Sequence, residues 1–284
     1  MPYLKWDEKI ITDFSDSNIN SLYNQGYVFT RQKKGSMNQT RSLRIDLEKF
    51  ELSSENRRVL RKTEEVKMET SPLPLKSPPL LGEGPGAGYY DWTIGKLGKD
   101  FYDTKFGDKT PAPHRSGATG AVFSANKIKE LMTEVEKSNF NVVLVYKLTN
   151  AVGDADLRPL HDDDNVVGVQ KFETLPRANI NSPLHETIGY VICYQNPAVL
   201  HYCYPFYRLS PLPFPLSPNT GLGMMLKAIV WAKENNKKYF YLGSFQRPSD
   251  TYKLQFAGLE WWDGKEWKND LDELKNMLKN LWIK

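Results

Sequence analysis

Several groups of residues in this 284-residue chain have types and spacings that suit chemistry. Gly221 and Gly223, in "NTGLGMM", flank Leu222 at what reads as a helix start. Glycine there lets backbone N–H groups cradle a phosphate, or lets two pieces of backbone pass closely. Just upstream, "LHYCYPFYRL" holds Tyr204, Phe206 and Tyr207 ahead of Arg208. Such rings, with Tyr241 further on, stack on a nucleoside base or fill a core. The segment "YKLQ" supplies Tyr252, Lys253 and Gln255 as catalytic candidates, with Lys253 or Arg208 as a cation for a carboxylate. Upstream, "SSENRRVLRKTEE" sets Arg57, Arg58, Arg61 and Lys62 as i,i+4 pairs on adjacent rows of one helix. Like charges at that spacing repel, so either phosphate answers them or Glu64 and Glu65 partly neutralise a solvated face. No Ser-His-Asp or Cys-His spacing is present. His114, His161, His185 and His201 are dispersed, and "HDDD" at 161–164 reads as a solvated acidic loop, so no metal site is expected.

These residues need a folded frame, and the composition supplies one. Hydrophobic residues make up 40% and aromatic residues 12%, which places the chain among globular proteins. No apolar run is long enough for a membrane span, and "MPYLKWDEKI" lacks the core of a signal peptide, so the expected compartment is the cytoplasm. Cys193 and Cys203 flank a hairpin and are read as two free thiols in preference to a disulfide. Net charge is +4, and residues 1–62 carry twelve Lys/Arg against eight Asp/Glu, the whole surplus. Arg31, Lys33, Lys34, Arg41 and Arg44 fall in a stretch without an acid.

The periodicity predicts a short helix in "SNINSLYNQ", strands in "YVFTR" and "SLRIDLEKF", and a basic helix capped by Ser53 or Ser54. Residues 71–88, "SPLPLKSPPLLGEGPGAG", are too rich in Pro and Gly for a helix or central strand, and are expected to link residues 1–70 to residues 89–284. The second segment alternates elements: a helix capped by Ser124, then strands "NVVLVYKL", "ETIGYVICYQN" and "VLHYCYPFY". The helix capped by Asn219 or Thr220, the strand "KYFYLGS" and a helix from Asn269 complete it. Residues 148–184 read as a long polar excursion.

The order aromatic strand, glycine-bearing helix start, helix, strand is similar to the acyl-donor module of GNAT-type acyltransferases, although the arginine usual before the glycines is missing. The wider pattern resembles the arginyl-tRNA–protein transferase family, including its bacterial leucyl-transferring members. Tyr204, Phe206 and Tyr207 match that family's aromatic strand, Leu222 and Gly223 its leucine-glycine, Tyr241 to Gly243 its "YLG", and Tyr252–Lys253 its tyrosine-lysine pair. Gly221 stands where serine is usual, and Arg208 where an aspartate is usual. This resemblance implies an α/β (α+β) chain with a C-terminal GNAT-like domain and a smaller N-terminal domain. It implies an aminoacyltransferase moving Arg or Leu from aminoacyl-tRNA to protein N-termini beginning with Asp or Glu, in the N-degron pathway. The tRNA would lie on Arg57, Arg58, Arg61 and Lys62, and the terminal adenosine and acceptor on the aromatic strand, Tyr241 and the glycines. The family's N-terminal cysteine cluster is missing, so no iron–sulfur centre or other cofactor is expected, and the chain is expected to be a monomer. The alternatives are an acetyltransferase using acetyl-CoA and a non-catalytic RNA-binding paralogue.

Overall fold

The computed structural model describes residues 4–76, 88–106, 123–149, 186–209, 216–246 and 248–282. The acidic run at 161–164, His114, His161, His185 and residues 77–87 of the expected linker lie outside them. The first segment forms β1 (Asp7–Ile10), α1 (Asp16–Asn24), β2 (Tyr27–Phe29), β3 (Ser36–Gln39), β4 (Ser42–Asp46), α2 (Ser54–Arg61) and β5 (Val66–Pro72). Two helices follow, α3 (Trp92–Phe106) and α4 (Ala125–Thr133), and then β6 (Val142–Leu148), β7 (Glu186–Gln195) and β8 (Val199–Tyr207). The chain ends with α5 (Thr220–Glu234), β9 (Tyr239–Ser244), a 3₁₀ helix (Pro248–Gln255), β10 (Leu259–Trp262), β11 (Trp267–Lys268) and α6 (Leu271–Trp282).

Local chemistry fixes several boundaries. Ser15, Ser53 and Ser124 each accept a hydrogen bond from the amide three residues on, satisfying one orphan donor of α1, α2 and α4. At α2 the side chain of Asn56 returns the favour to the Ser53 amide, completing a capping box. The apolar runs of β6 to β8 are buried on both faces, as strands sandwiched by helices must be.

Eight strands form one mixed sheet in the order β11-β10-β4-β9-β8-β7-β6-β5, and β1-β3-β2 form a second, smaller one. Strands β4 and β5 thus share a sheet with the strands of 89–284, and the large sheet crosses the boundary expected at 71–88. One face of the large sheet packs α2, α5 and α6 through Val59, Leu226, Ile229 and Leu274. The other packs α1, α3, α4 and β2 through Tyr23, Phe29, Phe101 and Ile128. The molecule is therefore a mixed α+β protein built on one large sheet.

Candidate active site

The chain's one parallel strand pair among the described residues is β8 with β9, joined through α5. Their pairing is short: Val199 faces Tyr239, Leu200 faces Phe240, and His201 faces Tyr241. Beyond that point β8 continues to Tyr207 on the β7 side, and β9 continues to Ser244 on the β4 side. Between their C-terminal ends the two strands separate. A register shift in the β4–β9 ladder between Leu43 and Arg44, and Gly243 in the left-handed region at φ +72°, turn β9 away from its neighbour. The result is a gap at the C-terminal edge of a parallel pair, beside a helix start, the usual position for a ligand crevice in sheets of this kind.

His201 closes the floor of the gap. Its ring is 3% exposed, and Nδ1 lies 2.9 Å from the Tyr23 hydroxyl. Tyr23 is fully buried, so its hydroxyl proton needs an acceptor. Nδ1 provides one, which leaves the ring proton on Nε2. That nitrogen faces Gly243, where a Cβ would sit 3.6 Å away. Burial, together with the charge of Lys253, pulls the His201 pKa down to about 3. The ring is neutral at physiological pH and donates from Nε2.

The 3₁₀ helix stands at the mouth. Lys253 Nζ donates to the Ser244 carbonyl at 3.0 Å, tying this helix to the end of β9. Tyr252 is 44% exposed, and desolvation, with the Asp250 charge and the Tyr207 phenol adding to it, raises its pKa. Gln255 is exposed and donates to the Tyr252 carbonyl at 2.6 Å. Burial likewise raises the Tyr207 pKa, so both phenols keep their protons at neutral pH. The Tyr207 hydroxyl lies against the start of α5, 2.5 Å from where a Cβ on Gly221 would be.

The glycines at this helix start serve close approach. Without side chains, Gly221 admits the Tyr207 hydroxyl, and Gly223 admits the side chain of Thr63 from the end of α2. The Gly223 amide is occupied by the Asn219 carbonyl at 2.8 Å, and Asn219 makes no side-chain cap bond. Leu222 is half-buried against the α5 side of the core.

The remaining predicted residues lie elsewhere. Tyr241 is fully buried, with its ring edge-on to Tyr23 at 4.7 Å and its hydroxyl 3.4 Å from Arg44, so it offers no face to a base. Phe206 is core against Gly98 of α3, and Tyr204 packs on Phe123 and Phe140 beneath α3 and α4. Arg208 follows the end of β8 and lines a cleft of about 220 Å³ with Asp91, Lys147 and Tyr190. On α2, Arg58 pairs with Glu55 and Arg57 donates to the Leu52 carbonyl at 2.5 Å, while Arg61 and Lys62 are exposed. The like charges are thus partly answered within the helix itself, by Glu55 and not by Glu64 or Glu65.

Cys193 and Cys203 are free thiols. Among the described residues no three His, Cys, Asp or Glu side chains gather as a metal site, and no helix is long and apolar enough to cross a membrane. In the sequence His201 is only one of four dispersed histidines, and Tyr23 carries no signal of its own. Only the parallel register places His201 at the end of the pairing, and only the fold brings Tyr23 to it across 178 positions.

No family model matches the chain, and no curated protein matches it. Solved structures that match include L-PGS from Bacillus licheniformis, at 11% identity and a TM-score of 0.38, covering 82% of this chain and 52% of that one. Another is the C-terminal domain of a protein described as a lysylphosphatidylglycerol synthetase, from Agrobacterium fabrum, at 9% identity and a TM-score of 0.36, covering 84% of this chain and 55% of that one. A functionally unknown conserved protein from Staphylococcus epidermidis matches at 9% identity and a TM-score of 0.32, covering 87% and 66%. The chain spans about half the length of the first two. At these scores the activity in their names stays with them. The resemblance to arginyl-tRNA–protein transferases is not sustained, since the named structures that match are of this other kind. Transfer of Arg or Leu from charged tRNA to acidic protein N-termini, and the partners it implied, are therefore withdrawn, and neither alternative function is better supported.

Proposed function

We propose that this chain is an acyltransferase whose acyl donor lies in the gap between β8 and β9, in a GNAT-like layout. The observation that carries the reading is the early end of the parallel pairing at His201 and Tyr241, next to the start of α5. An extended donor arm can pair with the strand edges facing the gap, as an added strand does. Acyl esters and thioesters are already activated, so such a site needs to hold the carbonyl and stabilise the oxyanion that forms when a nucleophile attacks. His201 Nε2–H is a neutral, fixed donor at the floor. The protonated phenols of Tyr207 and Tyr252 stand at the mouth, where a leaving group must collect a proton. Lys253 holds the 3₁₀ helix over the opening.

The test uses the purified full chain with labelled acyl thioesters and labelled aminoacyl esters. Acceptors are amine-bearing peptides and vesicles containing phosphatidylglycerol, the second because lysylphosphatidylglycerol appears in the name of a matched structure. Label moving to an acceptor, and moving less in Gly243→Ala, whose methyl would face His201, supports the reading. If no donor binds and no acceptor is labelled, the reading fails.

A further inference from the structure

Arg41 is a charge that the fold buries without an acidic answer. It lies between β3 and β4 and is 7% exposed. Its Nε is buried with no hydrogen-bond partner, and one terminal nitrogen meets the Met277 thioether of α6 at 3.4 Å. A thioether is a weak acceptor and carries no charge. Other cations of the same acid-free run are answered. Arg44 pairs with Glu260, Lys34 donates to the carbonyls of Val135 and Ser138, and Arg31 lies over the Phe123 ring. Among the described residues no carboxylate pairs with Arg41, and burial is what depresses its pKa. A guanidinium cannot shed its proton to escape burial, so its desolvation stands as a cost until an anion meets it.

The backbone around Arg41 is tied to the end of β9. Thr40 and Ser42 flank Arg41, and the Thr40 hydroxyl lies 2.6 Å from that of Ser244 and 3.2 Å from that of Ser42. Phe245 donates its amide to the Arg41 carbonyl, and Lys253 donates to the Ser244 carbonyl. Arg41, through its carbonyl, and Lys253, through Nζ, thus both bond to residues at the end of β9.

We infer that Arg41 anchors a binding site for an oxyanion, the phosphate or carboxylate group of a ligand, at the end of the sheet where β8 and β9 separate. Its planar fork can give two parallel N–H bonds to two oxygens of one such group. The inference does not depend on acyl transfer, because it concerns binding alone.

The experiment is thermal unfolding and calorimetric titration of the full chain with inorganic phosphate and with acetate, against chloride at matched ionic strength. Wild type is compared with Arg41→Met, which keeps the length of the side chain and removes the charge, and with Arg41→Lys, which keeps the charge and removes the fork. We expect a saturable rise in wild-type Tm with one of the anions, at least ten-fold weaker affinity in Arg41→Met, and an intermediate loss in Arg41→Lys. In chloride, Arg41→Met should be at least as stable as wild type, which a merely structural arginine would not allow. A response to phosphate and not acetate assigns a phosphate group, and the reverse assigns a carboxylate. No saturable response in wild type, or unchanged affinity in Arg41→Met, overturns the inference. Should Arg41→Met fail to fold, unchanged affinity in Arg41→Lys overturns it in the same way.

Discussion

Gly223→Ala puts the role of the α5 glycines to a quantitative test. A Cβ at 223 would lie 2.8 Å from Cγ2 and 2.9 Å from Cβ of Thr63, with Oγ1 nearer still. These atoms are the stem of a β-branched side chain that cannot swing away. Thr63 is fully buried, and its hydroxyl donates to the Val59 carbonyl at 3.0 Å. Either α2 or α5 must shift, and overpacking of this kind costs about 1–3 kcal/mol. Replacing Gly with Ala inside a helix returns at most about 1 kcal/mol of propensity. The variant should therefore be about 1–2 kcal/mol less stable in urea unfolding. Thr63→Ala removes the two nearest atoms and leaves the third, so the double variant should recover roughly half of that loss, measured as a coupling in a double-mutant cycle. Had Gly223 served only to bare its backbone to a ligand, propensity alone would act. A Gly223→Ala protein as stable as wild type, or more so, would refute the packing argument.

Three further outcomes follow from the buried polar groups. His201 has its folded pKa depressed to about 3 from 6.5, so the unfolded chain binds the extra proton first; stability is full above pH 6.5 and falls as pH drops toward 3. At pH 5 the loss should be about 2 kcal/mol relative to pH 7.5, and the difference between wild type and His201→Gln across that range measures it. Tyr23→Phe removes the hydrogen bond to Nδ1, which should cost about 1 kcal/mol and release the tautomer, visible as a change in the imidazole ¹⁵N shifts; unchanged shifts would contradict the assignment. Arg44 is held between the rings of Tyr239 and Trp267 and bonds Glu260 at 2.8 Å, so Arg44→Ala should cost about 3 kcal/mol in denaturant unfolding.

Where a segment's own pattern decided its structure, the sequence was readable. "VLHYCYPFY" is β8 residue for residue, the hairpin turns at Asn196, and Ser124 caps α4 as expected. Ile128, Leu131, Met132 and Val135 recur at helical spacing, but the helix stops at Thr133 and leaves Val135 exposed at 46%. Strand β5 escaped notice because "VKMETSP" is mostly exposed and ends in Pro72, which an edge strand tolerates and a central one does not. Helix α3 was hidden by Gly95 and Gly98, which lower helix propensity yet let Tyr90, Ile128 and Phe206 press against its backbone. The site was harder to see for a different reason. Aromatic residues of one strand go to different places: Tyr207 to the gap, Phe206 and Tyr204 to the core beneath α3 and α4, and Tyr241 of β9 to the buried contact with Tyr23. Nor does the number of arginines on α2 reveal that Glu55 neutralises one of them, while the buried Arg41 has no such partner.

The proposed place for the acyl donor is the space between β8 and β9. Its most direct test is amide hydrogen exchange, read residue by residue, with whichever acyl thioester or aminoacyl ester supports transfer. Pairing of the donor with the strand edges should slow exchange at the amides of residues 202–204, 206–207 and 242–244 while leaving the β6–β7 ladder unchanged. Transfer that proceeds with no added protection in those two stretches would place the donor elsewhere.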